Sequence, residues 1–227
     1  MSVVAEPLTA AIRLPIEGRT WLHADIYTPP RAKGLVLLAH GGDSSRHRPG
    51  NHRVAFALDK QQIATVVADL LTDDEEKLDE RTGASRFDAG LLTHRLMPMV
   101  EWARTSELVG GLPLALVGTN TAAAAALDAA AVRPDVVRAV VCTGGRPDLA
   151  LRLGAVKAPT LFIVGGNDAE VLELNATASR IMTCAREVEV IPGATHLFDE
   201  PGALEAVTSA TAAWFRRYLT HTGEPVT

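Results

Sequence analysis

The chain has 227 residues, a length compatible with one α/β domain, and a chain of this size buries about 70 to 75% of its unfolded surface without disulfides or metals. Its 22 Lys and Arg against 27 Asp and Glu give a net charge of −5 with no basic stripe, which argues against a nucleic-acid partner, because polyanion binding needs clustered cations. Two cysteines, Cys142 and Cys184, are too few for a disulfide scaffold or a zinc site and read as reduced thiols of a cytoplasmic protein; no apolar run reaches the roughly 18 residues of a membrane span, and no signal-peptide pattern opens the chain.

Apolar and polar residues alternate from Leu8 to Leu14 and from Thr20 to Tyr27 around Glu17-Gly18, which predicts an antiparallel hairpin ended by Pro29 and Pro30. Six short apolar runs follow: Leu35 to Ala39, Ala64 to Ala68, Leu114 to Val117, Val137 to Val141, Thr160 to Val164 and Glu187 to Ile191. They read as strands buried on both faces. Helical periodicity fills the intervals at His52 to Lys60, Ser85 to Thr105, Thr121 to Val132, Glu170 to Cys184 and Gly202 to Leu219, and this alternation predicts a parallel sheet with right-handed crossovers. Trp102, Trp214, Phe215 and Tyr218 fall at helical spacing and are expected to pack on the sheet.

The acidic run Asp73, Asp74, Glu75, Glu76, followed by Asp79 and Glu80, reads as a solvated loop or the start of a helix. No linker or repeat divides the chain, so residues 1–227 are expected to form a single domain with 1–30 as the hairpin of the same sheet. The interval between the strands ending near Val141 and starting near Thr160 leaves no room for a large lid. A ligand is therefore expected at the carboxyl ends of the strands.

Chemistry-bearing residues gather at those ends. After the strand Leu114 to Val117 comes Gly118-Thr119-Asn120-Thr121-Ala122 and then an alanine-rich helix, the strand, turn and helix context of a nucleophile elbow, with Asn120 where a serine is expected and Ala122 in place of the second glycine. Asp168 follows the strand that closes in Val164-Gly165-Gly166, and His196 follows the next strand after Pro192-Gly193-Ala194-Thr195. The order of nucleophile position, acid and histidine is that of the α/β-hydrolases. His40-Gly41-Gly42 ends an earlier strand, where small residues let a backbone N–H point at a developing oxyanion, with the N–H of Thr121 as its partner.

With those residues in view, the chain resembles the dienelactone-hydrolase-like α/β-hydrolases, some of them fused to phosphoribosyltransferase domains. The likeness spans His40 to Pro49, Asp69 to Thr72, Arg86-Phe87-Asp88, Gly144 to Leu149, Ile163 to Gly166 and Pro192 to Phe198. It implies an α/β-hydrolase fold: a mostly parallel eight-stranded sheet with helices on both faces and no large cap domain. It also implies a small-molecule ligand such as an ester, a lactone or a carboxylate, and a site in which Asp168 and His196 are catalytic, with Asn120 at the nucleophile position. Gly42 and Thr121 are then the oxyanion donors, and His40, Gly41, Asp43, Arg46 and His47 line the substrate side, Arg46 being the expected carboxylate contact. Neither a cofactor nor a metal is expected: His40, His47 and His52 straddle a glycine-rich loop without a matched ligand set. A membrane partner is not expected either.

Asparagine tolerates the positive φ of such an elbow, but a carboxamide has no lone pair that a histidine can activate by removing a proton. The expectation is a binding protein of hydrolase fold that has lost serine-esterase turnover. The alternatives are a His196/Asp168 general-base enzyme working as a lyase, isomerase or cyclase, and a natural serine or aspartate hydrolase into which Asn120 was introduced by design to trap a ligand. Thr119 and Thr121 are expected to turn their side chains away from the site. Arg146 and Asp148 are expected to pair with each other or with solvent, a pocket role being the alternative.

Overall fold

A computed structural model of the protein describes residues 8–16, 18, 20–42 and 49–219. Strands β1 (Leu8–Pro15) and β2 (Trp21–Thr28) form the expected hairpin, with Leu14 opposite Leu22; Glu17 of its turn lies outside the described residues. The chain continues as β3 (Gly34–His40), α1 (Pro49–Asp59), β4 (Ile63–Asp69), α2 (Asp73–Thr82), α3 (Ala89–Thr105), β5 (Leu114–Thr119) and α4 (Ala122–Val132). It ends with β6 (Val137–Thr143), β7 (Thr160–Gly165), α5 (Ala169–Ile181), β8 (Arg186–Ile191) and α6 (Ala203–Tyr218). All eight strands join one sheet in the order β1-β2-β4-β3-β5-β6-β7-β8. β2 runs antiparallel to both neighbours, and the pairs from β4 onward are parallel.

Alternation along β3 explains the two-sided core. Leu35, Leu37 and Ala39 pack with α3, α4 and α5, whereas Val36 and Leu38 pack with α1 and α6 on the opposite face. Both faces are covered because successive side chains of a strand point to opposite sides. Alanines 122 to 126 are fully buried, so α4 approaches the sheet closely, and this element leads directly out of the site. Trp214 and Phe215 are buried on the α1/α6 face with the ring of Tyr218 tilted against Trp214, while Trp102 packs on the other face.

The structure settles one reading, moves one helix start and corrects the burial of one strand. The acidic run is the first turn of α2, where four carboxylates stand at the positive end of the helix dipole. Thr72 and Glu75 close a capping box there, and Arg95 holds the other oxygen of Glu75 at 2.7 Å. The segment from Ser85 becomes helical only at Ala89, because Asp88 caps α3 by accepting the N–H of Leu91 and residues 85–87 are held as a turn by Asp79. Strand β8 is not buried on both faces: of Arg186 to Ile191 only Ile191 is buried, since the strand forms the sheet's edge. Between β6 and β7 lie only two single-turn 3-10 helices, Pro147–Leu149 and Leu153–Ala155, and no cap domain is present among the described residues. No helix among the described residues is long and apolar enough to cross a membrane.

Candidate active site

The turn from β5 into α4 is fixed by its backbone. Asn120 has φ 50°, its N–H donates to the carbonyl of Thr143 at 3.4 Å, and its carbonyl accepts from the N–H groups of Ala123 at 3.2 Å and Arg146 at 3.0 Å. Asparagine is among the few non-glycine residues that occupy this region readily. Gly118 is required for close approach, because a Cβ there would lie 2.4 Å from the carbonyl oxygen of Ala122 and 2.6 Å from Cα of Ala123. Strand and helix therefore approach closely on either side of residue 120, and Thr121, in α-helical conformation and 2% exposed, caps the helix.

Two loops at the ends of β7 and β8 supply the ionisable pair. The N–H of Gly166 donates to Ile191, the N–H of Asn167 to Ala194, and the side-chain amide of Asn167 to the carbonyl of Gly193. This lacing brings His196 Nδ1 within 2.8 Å of Asp168 Oδ2. A carboxylate at Nδ1 holds the proton on that nitrogen and leaves Nε2 as the acceptor. Asp168 also caps α5, its Oδ1 accepting the N–H of Val171 at 3.4 Å. The cap and the histidine partner are thus two uses of one carboxylate. The imidazole is 40% exposed, whereas the Asp168 side chain is 16% exposed.

Around this pair lies a cavity of about 480 Å³, bounded by Gly41, Gly42, Asn120, Thr121, Asp168 and His196 among others. Gly42 has φ 105°, and a Cβ there would come within 3.2 Å of Arg86 Cβ and 3.4 Å of Asp79 Oδ2. Gly42, two residues past β3, is therefore pressed against the α2–α3 turn. His40 is almost inaccessible and is held by Thr119, with Nδ1 and Oγ1 3.0 Å apart; it lines a second cavity on the α1/α6 side. Asp43, Arg46 and His47 lie outside the described residues.

Other residues border the pair. Thr119 lines both cavities, and its hydroxyl is spent on Nδ1 of the buried His40. Arg146 satisfies both of its readings at once, forming a bidentate pair with Asp148 at 2.8 and 2.7 Å while also lining the first cavity. Arg86 and Phe87 line the same cavity. The sequence marked them only as part of a family likeness, since their approach depends on the fold of α2. Asp79, 1% exposed, accepts from the N–H groups of Ser85 and Arg86 and from the Arg86 guanidinium. Burial alone would raise its pKa, but those hydrogen bonds and the adjacent positive charge outweigh it and hold the carboxyl below its ordinary value. Cys142 is fully buried, and burial pushes its thiol far up, so it supplies no thiolate.

No family model matches the sequence. The chain is 44% identical over 220 residues to a putative phosphoribosyl transferase of Mycobacterium tuberculosis, a match covering 96% of this chain and 46% of that protein. The chain thus spans about half the length of the curated relatives it matches. The crystal structure of a dienelactone hydrolase from Anabaena variabilis superposes with a TM-score of 0.90 at 44% identity, covering 95% of this chain and 100% of that one. A serine hydrolase without a lid from Xanthomonas campestris shares the fold, with a TM-score of 0.74 at 19% identity over 98% of this chain and 100% of that one. On the match to the Anabaena protein, the chain belongs to the dienelactone-hydrolase family of α/β-hydrolases.

Proposed function

We propose that this protein binds a small ester- or lactone-like molecule over Asn120 and does not cleave it by the serine-hydrolase route. The observation that carries this reading is Asn120 at φ 50° between β5 and α4, in the same cavity wall as the His196–Asp168 pair. In a working triad the histidine takes the nucleophile's proton as the nucleophile attacks. The Asn120 nitrogen lone pair is delocalised into its carbonyl, and losing its proton does not make a usable nucleophile at neutral pH. Removing the nucleophile from a triad costs about 10⁶ in turnover, with roughly 10³ to 10⁴ over water left to binding and oxyanion donors.

In this reading the N–H groups of Gly42 and Thr121 receive the ligand's carbonyl oxygen and the Asn120 carboxamide orients a second oxygen. A carboxylate on the ligand would be met by Arg46 or by the Nη1 donors of Arg146, whose Nε and Nη2 are held by Asp148 and which lines the cavity. The transferase in the name of the mycobacterial relatives belongs to proteins of which this chain matches 46%. Phosphoribosyl transfer is not part of this proposal.

Activated esters and lactones test the reading. Rates equal to those of His196→Ala are expected, and turnover well above that control would overturn it. A second reading rests on the 2.8 Å His196–Asp168 contact, which pure binding does not need: His196 Nε2 removes a proton from a bound carbonyl compound in lyase, isomerase or cyclase chemistry. It predicts that His196→Ala abolishes product formation with ligand affinity intact. An unchanged rate would remove it.

A further inference from the structure

Asn175 is a fully buried side chain in the interior of α5, and it borders neither cavity. Its amide nitrogen donates to the carbonyl of Val171, one turn earlier in the helix, at 2.7 Å and to the carbonyl of Gly145, in the loop after β6, at 2.9 Å. Both partners are carbonyls, so the amide can present only its nitrogen to them. Its oxygen is buried and has no hydrogen-bond partner among the described residues. Asparagine is a poor helix former, and a buried acceptor left unpaired costs stability. A leucine would occupy similar space without either penalty, so what this residue contributes lies in the two bonds it donates.

The bond to Gly145 reaches the place where the parts of the site meet. Gly144, with φ 52°, lies against the histidine: a Cβ there would come within 3.5 Å of His196 Cε1 and 3.6 Å of its Nδ1. One on Gly145 would strike Cβ of Ala123 in α4 at 2.5 Å. The N–H of Arg146 donates to the Asn120 carbonyl at 3.0 Å. Three consecutive residues thus border the histidine, the helix behind the elbow and the elbow itself. Main-chain bonds hold Gly144 to Ile163 and Arg146 to Asn120, and between them the Gly145 carbonyl is held by Asn175. At the other end of this tie, the Val171 N–H is capped by Asp168 Oδ1, so Asn175 joins the loop to the helix turn that carries the acid.

We propose that Asn175 is a positioning residue: its amide fixes the loop 144–146, and through it the place of His196 and Asp168 relative to residue 120. It acts through Gly145 and Val171 and touches no ligand. Without it, the His196 ring loses the backing of Gly144 and turns against Asp168, and the N–H of Arg146 releases the Asn120 carbonyl more often. The inference goes beyond the ligand-binding reading and holds whether His196 works as a base or only borders a binding site.

Nitrogen NMR spectra of the histidine rings test it without any ligand. At mildly alkaline pH, where imidazoles are neutral, His196, assigned by its absence from His196→Ala, should show the Nδ1–H tautomer alone in the unaltered protein. Asn175→Leu removes both bonds, whereas Asn175→Ser removes only the one to Gly145, because a serine in a helix bonds the carbonyl one turn back. In both variants the Nε2–H tautomer of His196 should appear. The Arg146 amide should exchange with deuterium about fivefold to tenfold faster, as the loss of one hydrogen bond implies. Ile26 in β2 reports the stability of the whole fold, and the acceleration at Arg146 is measured relative to it. A single unchanged tautomer, or an Arg146 amide that gains nothing over Ile26, would overturn the inference. If one variant fails to fold, the other decides. If both fail, the unaltered protein decides: after correction for intrinsic rates, the Asn175 carboxamide and the Arg146 amide should exchange at comparable rates, since one opening frees both. Carboxamide exchange far ahead of Arg146 would overturn it.

Discussion

At residue 120 two requirements separate that usually travel together: a backbone able to hold a positive φ, and a side chain able to attack. Asn120 meets the first at φ 50° and, in the proposed reading, fails the second. Asn120→Ser is therefore expected to raise hydrolysis of p-nitrophenyl acetate by on the order of 10³ or more, read from initial rates. Adding His196→Ala should erase the gain; no gain at all would mean the surrounding donors are not aimed at a carbonyl. Asp79 makes a different prediction, because its carboxylate is buried against Arg86. Its pKa is lowered on folding, so its stabilisation is complete above the unfolded value of about 4 and is lost as pH falls through the lower folded value. Urea midpoints should fall below pH 4 more steeply than in Asp79→Ala, which itself should lose about 3 to 5 kcal/mol at neutral pH by stranding the guanidinium. Asn120, Asp168 and His196 were legible in the sequence because each follows a strand end at family spacing. Asp79 and Arg86 were not, since a buried carboxylate within an acidic run looks like any solvated one.

Among the elements, α2 and β8 show where sequence patterning runs short. The run from Asp73 to Glu76 carries no apolar stripe, and what makes it helical is its capping box and the complement between four carboxylates and the helix N-terminus. Thr72→Ala should cost about 1 kcal/mol in global stability, and faster amide exchange in α2 would locate the loss. In β8 the alternation of Val188 and Val190 with charged residues read as a buried strand, but edge position leaves Arg186, Glu187 and Glu189 in solvent. The elbow itself was legible to within a residue because a short apolar strand, a glycine and an alanine-rich helix constrain one another. Gly118→Ala, which places a methyl against the Ala122 carbonyl, should destabilise by about 3 kcal/mol or more in chemical denaturation.

For the molecule as a whole, strand alternation and interval lengths were enough to predict the sheet with helices on both faces, whereas the unequal exposure of its edges was not written in periodicity. Charges along β8 discourage edge-to-edge pairing, so replacing Glu187 and Glu189 together by valine should shift the protein to larger species in size-exclusion chromatography. An unchanged elution volume would show that the edge is guarded by something else. The backbone around Asn120 has a wider consequence. Its N–H and carbonyl are tied to Thr143, Ala123 and Arg146, so the turn is held by main-chain groups of β6, α4 and the loop after β6. None of those bonds consults the side chain. Residue 120 is in effect a socket: any small polar group that accepts a positive φ can be seated there without rebuilding its surroundings. A lineage could move between cleaving a ligand and merely holding it by exchanging one fitting.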